Sequence, residues 1–312
     1  DLRNTNELKA NKEISVKKLE NTGNISTGDI LNVDGSLNNS GNIQANSKIE
    51  VANNLKNNGS VKSLDSISIN GNVNNDGEIL TNKNFIAKDV ISSKTLIAKE
   101  NIRVGNLNNT GAVATEKKLE INGSLENKGK IQAIEDIKIS ENANNSGSIL
   151  TNSKFSSKDL RNTNELKANK EISVKNLENT GNVLTEDILN VDGSLNNSGN
   201  IQVNSKIEVA NNLKNNGSIK SLDGISINGN VNNAGEIISE NINLTTLNNN
   251  GKIVVKENLK LIIKYNKEFN LIVTVKNPPS NAEHNLIFHL GKLIIKYLKN
   301  KNFMFPNYVL KH

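Results

Sequence analysis

The chain of 312 residues contains no Cys, no Trp, one Met and three Pro, and aromatic residues make up only 3%. Without Cys it cannot be a disulfide-stapled scaffold. Hydrophobic residues reach only 35% and few are large, which argues against the core of a compact multi-layer α/β enzyme. No stretch reaches the ~18 apolar residues of a membrane-spanning helix. Disorder is also disfavoured, because Ile, Leu and Val recur regularly and the net charge is only +6.

The charge of the chain is unevenly distributed. From Lys252 onward there are 11 Lys and 3 acidic residues, which leaves 27 basic and 29 acidic residues before that point. The basic pI of 9.2 therefore belongs to the tail, and we predict no nucleic-acid partner. Because the chain begins at Asp1 rather than Met, we expect it to be a piece of a longer protein.

What the sequence has in abundance is Asn, 63 residues, arranged in repeats. The longest repeat is a duplicated block with an offset of 158 residues, in which residues 1–80 recur at 159–238 with 71 identities. DLRNTNELKANKEISVK, for example, stands at Asp1–Lys17 and again at Asp159–Lys175. Long internal repeats are typical of solenoid proteins.

Within the block runs a shorter repeat, (L/V)-x-N-x-G-x-(I/V/L), as in LENTGNI at Leu19–Ile25. About 15 copies can be counted at spacings of 18, 17 and finally 16 residues, because three copies have Asn6, Lys94 or Asn164 where the others have Gly. We interpret the glycines as turn residues. The predicted turn glycines are Gly23, Gly41, Gly59, Gly77, Gly111, Gly129, Gly147, Gly181, Gly199, Gly217, Gly235 and Gly251.

Apolar residues occupy positions −4, +2, +8 and +10 relative to the glycine, as in Ile49/Val51 and Ile67/Ile69 for the last two. All these offsets are even, and a period of 2 is typical of strands with one apolar face. One repeat buries too little apolar surface to fold alone, so copies must stack on one another. We therefore predict an all-β fold, a right-handed parallel β-helix (solenoid) of about 15 rungs over residues 1–261. A left-handed β-helix has rungs of similar length, but its hexapeptide period leaves the residues at −2 and +10 unexplained.

The residue two positions before each glycine has the parity of the buried aliphatic residues, and we predict that it points inward. It is Asn in 14 of the 15 copies, and Ser92 is the exception. Stacked amides can donate to one neighbour and accept from the other, so the row would form an asparagine ladder. The alternative is that these Asn lie in exposed turns, which we expect instead for position −1, as at Asn58 and Asn216. The predicted ladder is Asn4, Asn21, Asn39, Asn57, Asn75, Asn109, Asn127, Asn145, Asn162, Asn179, Asn197, Asn215, Asn233 and Asn249.

These tandem L-x-N-x-G-x-I repeats, with connections of the type LNVDGSLNNSGNIQ, resemble the haemagglutinin repeats of filamentous haemagglutinin-type adhesins. Those are the large exoproteins of Gram-negative two-partner secretion, and they include the stalks of contact-dependent inhibition toxins. The resemblance covers residues 1–261 and implies a secreted or outer-membrane surface protein acting as an elongated binding stalk in cell adhesion. It also implies two partners, an outer-membrane secretion transporter and a receptor on host or bacterial cells. A toxin-delivery stalk without its toxin domain is the alternative within the family.

Parallel β-helices also include polysaccharide lyases and hydrolases, so an enzyme must be considered. Such enzymes gather unique acids and bases in one groove, whereas charged pairs here come in copies, since Lys48/Glu50 returns as Lys206/Glu208. The three His, at 284, 289 and 312, lie outside the repeats. Asp-Gly pairs lack the ligand spacing of calcium loops. We therefore predict no enzymatic activity, no catalytic residues, no cofactor and no metal site.

Residues 262–312 form a non-repeat basic tail of different composition. Asn277–Ser280 (NPPS) resembles a linker, and Leu286–Lys299 has the spacing of a short basic amphipathic helix. Three interpretations stay open for this tail. It could cap the end of the β-helix, contact anionic membranes, or be the degenerate or frame-shifted end of a truncated gene.

Overall fold

The computed structural model describes residues 1–265, 269–276 and 309–311, with side-chain burial for residues 1–260. The described residues form strands and turns, without a helix. Contacts divide the chain into a first unit, Asp1–Asp159 with Asn164–Asn169, and a second unit, Leu160–Thr163 with Lys170–His312. The first unit, and the second unit as far as Leu261, form parallel β-solenoids. The predicted all-β, parallel β-helical fold is confirmed, with about 14 rungs.

The first unit makes three short strands in each rung. From β1 to β24, every strand pairs in parallel with the strand three places further along the chain. The register advances by 17 or 18 residues, so equivalent positions lie side by side, as Leu19 lies opposite Leu37 and Asn21 opposite Asn39. A single rung therefore consists of β4, β5 and β6, and the next rung consists of β7, β8 and β9.

The strands of the first unit are short, and β27 continues into the second unit. They are β1 (Leu2–Asn4), β2 (Glu7–Ala10), β3 (Ile14–Val16), β4 (Leu19–Asn21), β5 (Asn24–Thr27), β6 (Leu31–Val33), β7 (Leu37–Asn39), β8 (Asn42–Ala45), β9 (Ile49–Val51), β10 (Leu55–Asn57), β11 (Ser60–Ser63), β12 (Ile67–Ile69), β13 (Val73–Asn75), β14 (Glu78–Thr81), β15 (Phe85–Ile86), β16 (Asp89–Ser92), β17 (Thr95–Ala98), β18 (Ile102–Val104), β19 (Asn106–Asn109), β20 (Ala112–Thr115), β21 (Leu119–Ile121), β22 (Leu125–Asn127), β23 (Lys130–Ala133), β24 (Ile137–Ile139), β25 (Ala143–Asn145), β26 (Ser148–Thr151), β27 (Phe155–Asn162) and β28 (Glu165–Ala168).

The core of each rung is built by the even offsets of the repeat. In one rung Leu19, Ile25, Leu31 and Val33 are at most 2% exposed, whereas Glu20 and the other odd offsets face solvent. Burying each such aliphatic side chain stabilises the fold by roughly 1.5–3 kcal/mol. The alternation of the sequence therefore fixes which face of every strand points inward.

The second unit continues the same pattern with longer strands, because neighbouring strands merge at several corners. Parallel pairing again places Leu195 opposite Leu213 and Asn197 opposite Asn215. Its strands are β29 (Ile172–Asn179), β30 (Asn182–Thr185), β31 (Leu189–Val191), β32 (Leu195–Asn197), β33 (Asn200–Val203), β34 (Lys206–Val209), β35 (Leu213–Asn215), β36 (Ser218–Ser221), β37 (Gly224–Asn233), β38 (Glu236–Asn249), β39 (Lys252–Tyr265), β40 (Phe269–Lys276) and β41 (Val309–Lys311).

Parallel stacking ends at β39. Strand β40 pairs antiparallel to it, with Tyr265 opposite Phe269, and β41 pairs antiparallel to β40. Strand β39 crosses the predicted boundary between residues 261 and 262, which stays a prediction. The predicted linker at Asn277–Ser280 and the predicted helix at Leu286–Lys299 lie outside the described residues.

Candidate functional site: stacked side chains and the outer face

The asparagine ladder of the first unit lies inside the solenoid. Asn21, Asn39 and Asn57 are at most 2% exposed, and each donates from Nδ2 to Oδ1 of the Asn in the next rung at 2.8 Å. The ladder begins with the same bond from Asn4 to Asn21. It resumes after Ser92 with Asn109, Asn127 and Asn145, bonded at 2.9 and 2.8 Å.

Every amide in the ladder makes more than one hydrogen bond. The Nδ2 of Asn39 also donates to the backbone carbonyl of Gly41 at 2.9 Å and to that of Ser60 in the next rung at 3.1 Å. Its Oδ1 accepts from Asn21. Because both ends of the amide are paired, its burial carries no unsatisfied polar group.

The second unit repeats this arrangement. Asn162 donates to Asn179, Asn179 to Asn197, and Asn197 to Asn215, each at 2.9 Å. Asn215 donates to Asn233 at 2.8 Å. The last member, Asn249, accepts from Asn233 at 2.7 Å but is only half-buried. The structure thus buries all of the predicted ladder Asn except Asn249.

Ser92 interrupts the ladder of the first unit. Its Oγ accepts from Asn75 Nδ2 at 3.2 Å, and it donates to no residue in the part of the chain that is described. The Oδ1 of Asn109, which would accept from an Asn at position 92, accepts instead from the backbone N–H of Gly111 at 3.2 Å. One interstrand hydrogen bond of the ladder is therefore missing at this rung.

Replacing Ser92 by Asn is expected to restore that bond and raise the free energy of unfolding by about 1 kcal/mol, the net value of one hydrogen bond. Ser40→Asn is the control, because Ser40 occupies the exposed position −1 and should change stability by less than about 0.5 kcal/mol. Urea unfolding of the two variants measures both effects. A Ser92→Asn variant less stable than the parent would contradict a ladder that continues through this rung.

The predicted turn glycines owe their identity to close stacking. A Cβ built on Gly59 would lie 2.1 Å from the backbone oxygen of Gly41, and one on Gly41 would lie 2.0 Å from that of Gly23. Real Cβ atoms do not approach an oxygen this closely. Gly181 aside, these glycines have no φ in the left-handed region. At the glycine positions of this row, successive rungs therefore bring backbone against backbone, a requirement that the interpretation as turn residues did not include. Lys94 and Asn164 are the exceptions, since they hold the same position with a Cβ.

A second internal row was missed from the sequence. Position +4 holds a buried hydroxyl in some rungs and a small apolar residue such as Ala45 in others. The Oγ of Ser63 donates to the carbonyl of Ser47 in the preceding rung at 2.5 Å and accepts from the backbone N–H of Asp65 at 3.1 Å. The signal was the even offset, but mixed residue types concealed it. The row comprises Thr27, Ser63, Thr81, Thr115, Thr151, Thr185, Ser221 and Ser239.

On the outer face, charged side chains pair between adjacent rungs. In the first unit Arg103 Nε lies 2.7 Å from Glu120 Oε2, and Lys62 Nζ lies 2.9 Å from Glu78 Oε2. In the second unit Lys252 Nζ lies 3.1 Å from Glu236 Oε1. Such exposed pairs contribute little to stability, about 0–1 kcal/mol each. At these pairs, positive and negative side chains on the strand faces neutralise each other, so no patch of a single charge results there.

Hydrogen bonds between oppositely charged side chains shift the pKa values of several of these groups. The hydrogen bond from Lys83 lowers the pKa of the Asp65 carboxyl and raises the pKa of the Lys83 ammonium. Glu141 raises the pKa of Lys158 in the same way. Burial alone would raise the pKa of Asp136, but hydrogen bonds from Ser153 and from the Lys154 amide lower it. The lowered carboxylates lose their contribution only as pH falls through the acid range, and the raised lysines only as pH rises through the alkaline range. These four groups therefore stay charged around neutral pH.

A groove of about 250 Å³ lies on the outer face of the second unit, where the duplicated block gives way to unique sequence. Its walls include Lys206 and Glu208 from the duplicated block and Asn243 and Lys260 from the unique part. It is open beside Gly224, whose missing Cβ would meet nothing closer than 3.6 Å. The first copy has Ser66 at that position, with its hydroxyl donating to Asp65 at 3.0 Å. Ile207, Ile225 and Ile242 also line the groove, which we treat as a candidate contact surface.

The described residues contain no group of three or more His, Cys, Asp or Glu placed to hold a metal ion. No helix in this part of the chain has the length and apolar character needed to cross a membrane. Comparison with protein-family models, with curated proteins and with solved structures gives no match.

Proposed function

We propose that the chain is a segment of a large secreted or surface adhesin and acts as a binding stalk in cell adhesion. We also propose that it has no enzymatic activity. The proposal extends to a Gram-negative outer-membrane or extracellular location, export by a two-partner-secretion transporter, and a receptor on host or bacterial cells. The resemblance of the L-x-N-x-G-x-I repeats to haemagglutinin repeats is its starting point.

The observation that carries the proposal is that the two sides of each strand differ: inward side chains hold the rungs together, and outward side chains are displayed to solvent. Inward side chains satisfy one another from rung to rung, as in the bond from Asn21 to Asn39. Outward side chains repeat at the same offset, as with Asn24 and Asn42, whose amides are bonded at 2.9 Å on the exposed face. A rigid scaffold that displays similar polar groups at regular steps suits repeated weak contacts with a cell surface better than catalysis at one point.

The test is a binding titration. The purified, fluorescently labelled chain should bind epithelial or bacterial cells saturably, and an excess of unlabelled chain should displace it. A panel of plant, host and bacterial polysaccharides incubated with the chain should show no release of reducing ends. Release of reducing ends without saturable cell binding would overturn the adhesin proposal and support an enzyme of the polysaccharide lyase or hydrolase type.

Gly224→Ser offers a matched variant for mapping the contact. It places beside the groove the side chain that the first copy carries at Ser66, and a Cβ at Gly224 would meet no atom closer than 3.6 Å. Weaker cell binding by this variant would assign the contact to the groove. Unchanged binding would assign it to the strand faces.

A further inference from the structure

The chain contains six Asn-Gly bonds, at Asn58, Asn70, Asn122, Asn216, Asn228 and Asn250. In all six the Asn is exposed to solvent. Asn followed by Gly is the dipeptide most prone to spontaneous deamidation, because Gly places no side chain in the way of its own backbone nitrogen. Sequence and exposure alone would therefore make the six bonds similar.

The structure separates the six by the hydrogen bonding of the glycine amide. The N–H of Gly71, Gly123, Gly229 and Gly251 donates to a carbonyl of the preceding rung at 2.7–3.0 Å. By contrast, the N–H of Gly59 and of Gly217 donates to no residue that the structure describes. These two glycines are equivalent positions in the two copies of the block, 158 residues apart, so the same environment occurs twice.

We propose that Asn58 and Asn216 are sites of spontaneous deamidation in the folded protein. The backbone nitrogen of the following glycine attacks Cγ of the Asn and forms a new C–N bond. The side-chain nitrogen leaves with the glycine proton as ammonia, and a succinimide results. Solvent water then adds across one of the two ring C–N bonds, which yields either aspartate or isoaspartate.

The glycine N–H must be free for this attack, because its proton is lost as the ring forms. At Gly123 the bond to the Gly105 carbonyl, at 2.7 Å, holds the amide against the preceding rung and has to break first. The net value of one such hydrogen bond corresponds to a rate difference of between about twofold and tenfold.

The product would change the turn as well as its charge. Asp76 occupies the equivalent position in the rung after Asn58, so aspartate there adds a like charge beside it. Isoaspartate lengthens the backbone by one carbon. A Cβ on Gly59 would already lie 2.1 Å from the Gly41 oxygen, so this turn has no slack for the longer path. Conversion to isoaspartate at these two sites would therefore loosen the stacking of the turn as the protein ages.

The test follows all six bonds in the full chain during prolonged incubation at mildly alkaline pH, by peptide mapping and by isoaspartate methyltransferase labelling. Asn122 is the internal control, because Asn-Gly-Ser is the tripeptide at Asn58, Asn122 and Asn216 alike. We expect conversion at Asn58 and Asn216 to exceed that at Asn122 by between about twofold and tenfold. In strong denaturant the three sites should convert at equal rates.

Three results would overturn the proposal. The first is conversion of Asn122 in the folded chain as fast as Asn58 and Asn216. The second is protection of all six bonds in the folded chain while the unfolded chain deamidates normally. The third is a preference for Asn58 and Asn216 that persists in denaturant, since it would trace the difference to sequence rather than to the fold.

Discussion

Gly217→Ala is expected to lower the free energy of unfolding by about 3 kcal/mol, the upper range for an overpacked site. The added Cβ would stand 2.1 Å from the Gly199 carbonyl oxygen and 2.7–2.8 Å from the carbonyl group of Ser198. All of these atoms are backbone, so relief requires the two rungs to move apart. That movement would weaken the flanking bonds, such as the one from the Ser218 N–H to the Gly199 carbonyl at 2.9 Å.

Gly224→Ala provides the matched control in the same unit. Its Cβ would meet Asn241 only at 3.6 Å and beyond, which is ordinary contact. Because alanine restricts the unfolded chain more than glycine, this substitution should be neutral or stabilising by about 0.5 kcal/mol. Urea unfolding of both variants, with equal slopes, gives the comparison. Equal losses for the two would refute close stacking as the reason for glycine in the repeat.

This glycine row shows where sequence reasoning reached its limit. The even apolar offsets predicted strands and the inward row of Asn, because both follow from parity along one strand. The repeat spacing predicted the parallel solenoid, because one repeat cannot bury its apolar face alone. How closely successive rungs approach is a property of the stack and not of any single rung. A glycine required by close contact with Gly41 and a glycine required by a left-handed turn look identical in the sequence, so the sequence alone does not distinguish the two reasons.

The same limit explains the missed hydroxyl row and the end of the solenoid. Position +4 has the inward parity, yet Thr27, Ala45 and Ser63 share no residue type, and only the bond from Ser63 to the Ser47 carbonyl explains why a hydroxyl fits there. At the other end, β40 turns back antiparallel on β39 after the repeats have ceased. Without a repeat to follow, no periodicity was available to predict that pairing.

The second large effect is expected inside the ladder. Asn57→Asp should lower the free energy of unfolding by about 3–5 kcal/mol at neutral pH, as for a buried charge without a partner. Asn57 is fully buried, and its Nδ2 donates to Asn75 Oδ1 at 2.8 Å and to the carbonyl of Glu78 at 3.0 Å. An ionised carboxylate cannot donate, so its oxygen would face these acceptors in a site closed to water.

Asn58→Asp is the control. Asn58 is the adjacent residue and lies exposed at position −1, so this substitution should change stability by less than about 0.5 kcal/mol.

The two variants should also differ in pH dependence. Desolvation raises the folded-state pKa of a carboxyl at position 57 above its unfolded value of about 3.9. Protonation then favours the folded state, so the loss in Asn57→Asp should shrink as pH falls through that raised pKa and grow again as pH rises. A neutral carboxyl can also donate to Asn75, which restores the ladder bond. Thermal unfolding at a series of pH values measures this, and a loss in Asn57→Asp that equals that of Asn58→Asp, or that does not vary with pH, would rule out an inward, water-free position for the ladder.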